Sequence, residues 1–233
     1  MHKFLLSLST ALLFVPACAN AADLDNFTPS YDWSGLYGGF NAGYAFGGND
    51  RVGLGVTGLG GGPVGDLGLK GWAGGIQAGY NYQMNYFVIG AEADIQGGDI
   101  NDSDSSTGAL GTFDSSDDVN YYATLRARMG LAVSNMLIYG TAGFAWGDVD
   151  YSLSGVTLGG DSVDISDSGI YTGYTLGGGA EYAFVDGWSI RAEYLYVNLG
   201  SDKLSAVTSL GNTATTTSSP DFHTIRIGAN WKF

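Results

Sequence analysis

The sequence predicts an all-β protein: an eight-stranded antiparallel up-and-down transmembrane β-barrel with short periplasmic turns and four long extracellular loops. Eight segments between residues 33 and 233 alternate apolar with small or polar residues at every second position, a period typical of β-strands. Short and long connections alternate between these segments, as they do in bacterial outer-membrane barrels. One face of the segments is aliphatic and aromatic, whereas the other is rich in Gly, Thr, Asn and Gln.

The overall composition limits the class of protein. Charged residues make up only 14% of the chain, which contains 39 Gly, 15 Tyr, 11 Phe and 5 Trp, whereas a soluble domain has about 25% charged residues. The net charge of −14 argues against a nucleic-acid partner, because the phosphate backbone is also negative. No internal apolar run reaches the ~18 residues that indicate a membrane-spanning helix. The aromatic residues therefore belong either to a soluble core or to a barrel surface in contact with lipid.

The first residues are predicted to be an export signal, residues 1–21, cleaved after Ala21. A short basic head precedes the apolar run FLLSLSTALLFVPA, and an A-x-A site follows it. Cys18 leaves a second alternative open, because the preceding Val-Pro-Ala loosely resembles a lipoprotein cleavage box, although Pro16 fits that box poorly. Residues 22–32 are then a periplasmic N-terminal segment and residues 33–233 the barrel. Cleavage after Ala21 leaves a chain without cysteine and hence without disulfides.

The first four alternating segments are residues 33–46, 71–82, 87–96 and 119–131. In the first, Leu36, Phe40 and Tyr44 share one face, opposite Tyr37 and Asn41. The same alternation in the fourth segment puts apolar residues from Val119 to Met129 on one face, including Tyr121, and both arginines on the other. The eight segments have 10 to 14 residues, close to the ~9–11 required for a tilted crossing of a bilayer.

The other four segments are residues 136–146, 171–184, 188–197 and 223–233. The short connections are residues 83–86, 132–135 and 184–187, and the long ones are residues 47–70, 97–118, 147–169 and 199–220. The long connections are rich in Gly, Ser, Thr and Asp, which predicts solvated, flexible loops. Pro29, Pro63 and Pro220 fall outside all eight segments, as expected where each strand position must donate to a ladder.

The polar face separates a membrane barrel from its main alternative, a soluble eight-stranded barrel of the lipocalin kind. A soluble barrel should carry many Lys and Glu on this face, but Lys232 is its only lysine. Its charged residues are Glu92, Asp94, Glu181 and Glu193 against Arg126, Arg128, Arg191, Arg226 and Lys232. This near balance predicts a set enclosed together in the lumen, because a buried charge without a partner is costly. The turn near residues 185–187 places Glu181 opposite Arg191, and we predict an ion pair between them.

Aromatic residues concentrate near the segment ends on the apolar face, as in the two interfacial girdles of a membrane barrel. Those toward the long loops are Tyr44, Phe46, Trp72, Trp146, Tyr171 and Tyr174. Those toward the short turns are Tyr80, Tyr82, Phe87, Phe184, Trp188, Trp231 and Phe233. The ending HTIRIGANWKF resembles the signature read by the outer-membrane assembly machinery, through the alternate positions Ile225, Ile227, Ala229, Trp231 and Phe233.

Three stretches carry a wider resemblance: WSGLYGG at residues 33–39, GGGAEYAF at 177–184 and RAEYLYV at 191–197. They resemble the porin-like β-barrel family of alphaproteobacterial surface proteins, which includes the major outer-membrane antigens of Brucella and the hemin-binding proteins of Bartonella. The resemblance covers residues 33–233 and implies an OmpA-like barrel surrounded by outer-membrane lipid and lipopolysaccharide. It specifies no activity. Unlike the longer OmpA-type proteins, the chain is expected to end with the barrel, without a peptidoglycan-binding domain.

Three hypotheses without catalysis follow for such a barrel. Eight strands enclose a lumen about wide enough for side chains to fill it, which favours a structural surface protein that meets an extracellular ligand or host surface through its loops. A narrow channel for ions or small solutes is the second hypothesis, if the inward glycines leave space that Tyr37, Tyr122 and Tyr139 do not fill. Ligand capture at the rim, for instance of hemin, is implied by the family alone, with His223 as a candidate.

The long loops are acidic. Their candidate binding residues are Asp99, Asp102, Asp104, Asp114, Asp117, Asp118, Asp161, Asp164 and Asp167, and Asp148 and Asp150 lie nearby. Such loops suit divalent cations shared with lipopolysaccharide phosphates, or are simply solvated. The spacing fits no EF-hand, which requires Gly and Glu at its sixth and twelfth positions. No pattern indicates a resident metal or cofactor.

Catalysis is the last hypothesis. His223 lies near Ser218, Ser219 and Asp221, which are the residue types of a nucleophilic triad. Proximity within a Ser- and Thr-rich segment does not establish that arrangement. The sequence therefore predicts a protein that is not an enzyme.

Overall fold

The computed structural model describes residues 30–48, 50–57, 60–108, 111–185 and 187–233. The predicted signal, residues 1–21, and the first part of segment 22–32 lie outside the described residues. Both assignments therefore remain predictions. The described residues form no helix that is long and apolar enough to cross a bilayer.

The described residues form twelve strands: β1 (Gly35–Phe46), β2 (Asp50–Val56), β3 (Gly60–Leu67), β4 (Lys70–Met84), β5 (Phe87–Gly108), β6 (Gly111–Val133), β7 (Met136–Thr157), β8 (Ser162–Val185), β9 (Trp188–Asn198), β10 (Asp202–Val207), β11 (Thr213–Ser218) and β12 (Asp221–Lys232). Eight of them close a barrel in the order β1, β12, β9, β8, β7, β6, β5, β4. Every neighbouring pair is antiparallel. The predicted eight-stranded antiparallel barrel is confirmed.

The two ends of the barrel differ as the connection lengths predict. At one end β4–β5, β6–β7 and β8–β9 are joined by tight turns, and Asn85 and Ser134 there have positive φ angles of 56° and 54°. Positive φ is the backbone geometry that tight hairpins require. We call this the short-turn end and the opposite one the long-loop end. The last strand closes the barrel at the short-turn end, where the Phe233 amide donates to the Leu36 carbonyl at 3.0 Å.

The two faces of the barrel wall have the predicted composition. On β1, Leu36 and Phe40 are exposed on the outer face, whereas Tyr37 and Asn41 are buried in the lumen. The outer positions of β12 and the terminal Phe233 continue this apolar surface: Ile225, Ile227, Trp231 and Phe233 are exposed, and Ala229 is half-buried. An apolar outer band around a polar interior is the arrangement that a lipid environment requires.

Two side chains, the aliphatic Val119 and the aromatic Tyr171, depart from the predicted faces. The β6–β7 register shifts between Val119 and Tyr121, so Val119 is buried inside while Tyr121 faces outward. The assignment of both to one face was wrong, because a bulge of one residue reverses the alternation. Tyr171 is also buried rather than part of the outer girdle, because it shares the inward parity of Thr175 on β8.

The long connections are mostly strand, which corrects the prediction of flexible loops. Strands β5 to β8 run for 22, 23, 22 and 24 residues, about twice what a bilayer crossing requires. Strands β10, β11, β2 and β3 form a separate four-stranded sheet from the other two connections. We call this sheet, together with residues 99–108, 111–118 and 150–168 of the extended wall and the turn 208–212, the outer unit.

The outer unit has a hydrophobic core of its own. Its buried residues are Leu54, Val56, Phe113, Tyr151, Leu153, Val163, Ile165, Leu204 and Ala214, which come from both sheets. The Tyr151 and Thr216 hydroxyls lie 3.1 Å apart and link β7 to β11. The four-stranded sheet therefore packs against the extended barrel wall, and burial of these side chains holds it in place.

Candidate functional site

The middle of the barrel holds eight charged side chains, each at most 5% exposed. We call this set the lumen cluster: Glu92, Asp94, Glu181, Glu193, Arg126, Arg128, Arg191 and Arg226. They stand at inward positions of β5, β6, β8, β9 and β12. Four carboxylates thus face four guanidinium groups, so the cluster is neutral within a strongly negative chain.

Glu92 is the centre of one half of the cluster. Its Oε2 accepts hydrogen bonds from Arg191 Nη1 and from the Tyr37 hydroxyl, both at 2.6 Å. Arg126 donates to Glu92 and also to Asp94 Oδ2, the latter at 2.8 Å. One guanidinium group therefore bridges two carboxylates of β5.

Glu193 and Asp94 organise the other half. Arg226 donates to Asp94 Oδ1 at 3.0 Å and also donates to Glu193. Glu193 accepts a further bond from the Tyr139 hydroxyl at 3.0 Å, and Asp94 accepts one from Thr124 Oγ1 at 2.5 Å. These uncharged donors were not among the predicted site residues. The alternation of the strands could have identified them, because they share the inward face with the charged residues.

The predicted ion pair between Glu181 and Arg191 is wrong, although their predicted register is observed. The two residues are direct partners on β8 and β9. Glu181 instead accepts from Arg128 at 2.5 Å, Ser189 at 2.5 Å and Asn230 at 2.8 Å. Long arginine side chains project into the lumen and reach across it, so register alone does not select the partner.

Lys232 was predicted to belong to the enclosed charges, and the structure places it elsewhere. Its Nζ donates to the carbonyl of Asp32 and lies 4.6 Å from the centre of the Tyr31 ring. Lys232 stands at the short-turn end of β12, where its long side chain reaches the segment that precedes β1. The lumen cluster therefore contains four carboxylates and four cationic side chains, rather than four and five.

Side chains occupy the space beside the inward glycines. A Cβ atom at Gly79 would lie 2.5 Å from Tyr37 Cζ, and one at Gly179 would lie 2.8 Å from the Tyr139 hydroxyl oxygen. Tyr37 and Tyr139 thus lie against glycine positions. A cavity of about 10 Å³ remains beside Trp33 and Glu181, roughly the room for one water molecule.

Buried apolar clusters lie on both sides of the charges, and sequence analysis did not anticipate them. At the short-turn end the cluster consists of Trp33, Val88, Ala132, Leu137, Tyr139 and Ala183. Toward the long-loop end it includes Leu69, Ile100, Tyr122, Val149, Leu195, Leu199 and Phe222. The Trp33 amide donates to Gln83 Oε1 at 2.8 Å and holds the N-terminal segment under the barrel.

The acidic residues of the outer unit fall into two groups. Asp99, Asp114, Asp164 and Asp167 are exposed, and Asp104 and Asp118 are half-buried. Asp118 lies directly opposite Asp150; partial burial, and then the charges of Asp99 and Asp150, raise its pKa. The described residues bring together no group of three or more metal-ligating side chains suited to an ion.

The other three aspartates make structural contacts. Asp117 is buried, and Asp102 forms an ion pair of 3.2 Å with Lys70 and accepts from the Gly68 amide at 2.8 Å. Asp161 is buried and accepts four hydrogen bonds, from Thr208 Oγ1 at 2.6 Å, Leu210 N at 2.9 Å, Ser209 Oγ at 3.0 Å and Asn212 Nδ2 at 3.1 Å. These bonds, that of Thr208 foremost, lower its pKa to about 2.

His223 lies among aromatic side chains at the long-loop end of the outer surface. Its Nδ1 is 2.6 Å from the Tyr194 hydroxyl, and its ring stacks on that of Tyr194. Asp221 accepts from the Tyr196 hydroxyl at 2.9 Å. The partner observed for the histidine is thus a tyrosine, whereas a nucleophilic triad joins it to a serine or cysteine.

Comparison with known proteins agrees with this geometry. The family described as outer membrane protein beta-barrel domain matches residues 7–233. The 31 kDa outer-membrane immunogenic protein of Brucella melitensis biotype 1 is 37% identical over 235 residues, which cover 94% of this chain and 89% of that protein. The 22 kDa outer membrane protein of Rhizobium leguminosarum bv. viciae is 30% identical over 175 residues, 74% of this chain and 67% of that one.

A solved structure supports the fold. The outer membrane protein OprG from Pseudomonas aeruginosa superposes with a TM-score of 0.53 at 13% identity, covering 88% of this chain and 99% of that one. The predicted location in the outer membrane is confirmed by the named homologues, and the short-turn end then faces the periplasm. On its sequence match and on its barrel, this chain belongs to the outer-membrane protein β-barrel family.

Proposed function

We propose that this protein is a non-conducting anchor that holds a folded, acidic unit at the cell surface, where that unit meets an extracellular ligand or host surface. The observation that carries the proposal is the filling of the lumen. The lumen cluster occupies the middle, and apolar clusters lie on both sides of it.

Passage of an ion would require both the charges and the apolar clusters to move. Breaking a buried ion pair by removing one partner costs about 3–5 kcal/mol, and the guanidinium groups of the lumen cluster bridge several carboxylates at once. The apolar clusters offer a crossing ion no polar partner, which adds a desolvation barrier. These costs oppose a continuous water-filled path.

The outer unit is the part of the molecule that is equipped to meet a partner. The four long connections contain fourteen aspartates against Arg51, Lys70 and Lys203, so most of the net charge of −14 lies there. A concentrated field of one sign attracts partners of the opposite sign and raises their association rate. Because the unit has its own core, it presents this charge on a defined surface.

Conductance in a planar lipid bilayer tests the proposal. The refolded protein is compared with Glu181→Ala and Arg126→Ala variants, each checked for heat-modifiable migration on gels as evidence of a closed barrel. We expect no discrete channels in any of the three, because the apolar clusters stay in place when one charge is removed. Unitary channels whose ion preference shifts in the variants would overturn the proposal and favour a pore.

A further inference from the structure

Two turns of matching geometry stand at the far tip of the outer unit. Residues 157–161 join β7 to β8, and residues 208–212 join β10 to β11. Each begins with a threonine whose amide donates to the carbonyl four residues later, at 2.9 and 2.8 Å. Each threonine hydroxyl accepts from that later residue's amide at 3.0 Å. Gly160 and Gly211 have φ angles of 81° and 83°, so the pattern Thr-x-x-Gly-Asp/Asn specifies the same turn twice.

Asp161 fastens the two turns to each other. It belongs to the first turn, and its carboxylate accepts all four of its side-chain hydrogen bonds from the second, from Thr208, Ser209, Leu210 and Asn212. The Ser209 amide also donates to the Ser162 carbonyl at 3.0 Å. The tip is therefore one preorganised surface, and preorganisation lowers the entropic cost of binding.

Large aliphatic side chains project from this fastened tip into solvent. Leu158 is 78% exposed, Val207 74%, Leu210 67% and Val156 50%. Val156 and Val207 belong to the outward faces of the two packed sheets, whereas Leu158 and Leu210 stand on the two turns that Asp161 joins. We call the two leucines the apical patch. They lie at the end of the molecule away from the barrel, so the outer-membrane lipid that covers the exposed apolar residues of the barrel wall does not cover them. Exposed apolar surface gathered on a folded unit is typical of an interaction site.

The charges around the apical patch restrict what can cover it. Residues 151–163 and 205–217 contain a single charged residue, the buried Asp161. Below them the surface carries the exposed Asp114, Asp150, Asp164 and Asp167 against the exposed cation Lys203. A second copy of this chain would bring the same acidic surroundings and be repelled. A phospholipid surface lacks a cationic anchor here, since the tip segments contain no Lys or Arg.

We propose that the apical patch docks a partner protein whose contact surface has an apolar centre surrounded by Lys and Arg side chains. The apolar centre covers the two leucines, and the basic surroundings face the aspartates below. The proposal rests on the proposed function, because it names the surface through which the outer unit meets its partner and the chemistry of that partner.

Peptide binding to the refolded full-length protein in nanodiscs tests this surface, with empty nanodiscs as the blank. The probe is a fluorescent amphipathic peptide of Leu and Lys. A Ser/Lys peptide of equal charge and a Leu/Glu peptide of equal apolar content are the comparators, with affinity measured by anisotropy. We expect measurable affinity for the Leu/Lys peptide alone. The double variant Leu158→Ser/Leu210→Ser should bind it at least tenfold more weakly, whereas Thr213→Ser, at an exposed polar position of the same hairpin, should bind it unchanged.

Several results would overturn the proposal. One is equal binding of the Leu/Lys peptide to the protein and to the double variant. Another is binding of the Leu/Glu or the Ser/Lys peptide with the same affinity as the Leu/Lys peptide. A third is leucine-dependent attachment to phosphatidylcholine vesicles in place of the peptide, which would assign the patch to a lipid surface. If the protein forms no channels in the bilayer and shows no peptide preference, the apical patch is refuted as the docking surface, but the proposal of a non-conducting anchor stands. Discrete channels would instead refute the non-conducting anchor itself.

Discussion

Arg128 and Glu181 form an ion pair of 2.5 Å across the lumen, although their strands β6 and β8 are separated in the barrel by β7. The Arg128 guanidinium carbon lies 3.8 Å from the centre of the Tyr139 ring, which belongs to the intervening strand. Ser189 and Asn230 donate to the other oxygen of Glu181. The carboxylate therefore ties β6, β8, β9 and β12 together.

Removal of Glu181 should destabilise the barrel strongly. Glu181→Ala removes the 2.5 Å partner of the buried Arg128 and leaves it only the more distant Glu92, at 3.7 Å. Breaking a buried pair by removing one partner typically costs about 3–5 kcal/mol. Urea unfolding in lipid vesicles, followed by tryptophan fluorescence, measures the loss. Lys70→Ala is the matched control, because the Lys70–Asp102 pair is 63% and 16% exposed and an exposed pair is worth under about 1 kcal/mol.

Replacement of both partners should recover most of that loss. In the double variant Glu181→Leu/Arg128→Met no uncompensated charge remains, and apolar replacement of a buried pair is often neutral. Equal costs for Glu181→Ala and Lys70→Ala would show that Glu181 is solvated, contrary to the closed lumen that we propose.

A methyl group at Gly79 should also destabilise the protein. Its Cβ would lie 2.5 Å from Tyr37 Cζ, and overpacking of this kind costs about 1–3 kcal/mol. Gly97→Ala is the control, because a Cβ there meets nothing within 4 Å. The same urea titration compares Gly79→Ala with Gly97→Ala. Equal stability of the two variants would mean that Tyr37 moves freely and that space is left beside it.

The link between the two apical turns should persist in acid until well below the ordinary range of an aspartate. The pKa of Asp161 is lowered to about 2, compared with about 3.9 in an unfolded chain. Because the folded value is the lower one, the stabilisation is fully present above pH ~4 and is lost as the pH falls through about 2. The amide shift of Leu210, which donates to Asp161, should titrate in NMR spectra with a midpoint near 2.

Asp161→Asn supplies the control for that titration. It removes the ionisable group at the same position, so the low-pH transition of the Leu210 amide should disappear. A midpoint near the ordinary aspartate value in the unsubstituted protein would contradict the hydrogen-bonded, buried environment described for this carboxylate.

The barrel could be predicted from the sequence because the patterns that indicate it are local. Period-two alternation and short turns such as residues 83–86 depend on near neighbours, and they predicted the strands and the inward parity of Glu181 and Arg128. The partner of Glu181 depends on how far an arginine reaches across a lumen, which no alternation encodes. The inward position of Val119 arises from a bulge of one residue, which composition does not mark.

The outer unit was missed for a different physical reason. Ser and Asp dominate residues 147–169, and this polarity suggested solvated loops. Val163 and Ile165 nevertheless occupy alternate positions of β8 and are buried in the outer core. A strand with one buried face needs few apolar residues, so its alternation is present in a polar segment but easily overlooked. The repeated turn pattern at residues 157–161 and 208–212 was a second available signal.

Cysteine accessibility is the most direct test of the sealed lumen that we propose. The chain contains a single native cysteine, within the predicted signal, so single cysteines can be introduced at the buried Thr224 and Ser189 and at the exposed Ser166. A charged, membrane-impermeant maleimide is applied to the folded protein in vesicles opened to both sides. We expect rapid labelling of Ser166→Cys, and labelling of Thr224→Cys and Ser189→Cys only after unfolding. Rapid labelling of either lumen position in the folded barrel would contradict a closed lumen and restore the channel hypothesis.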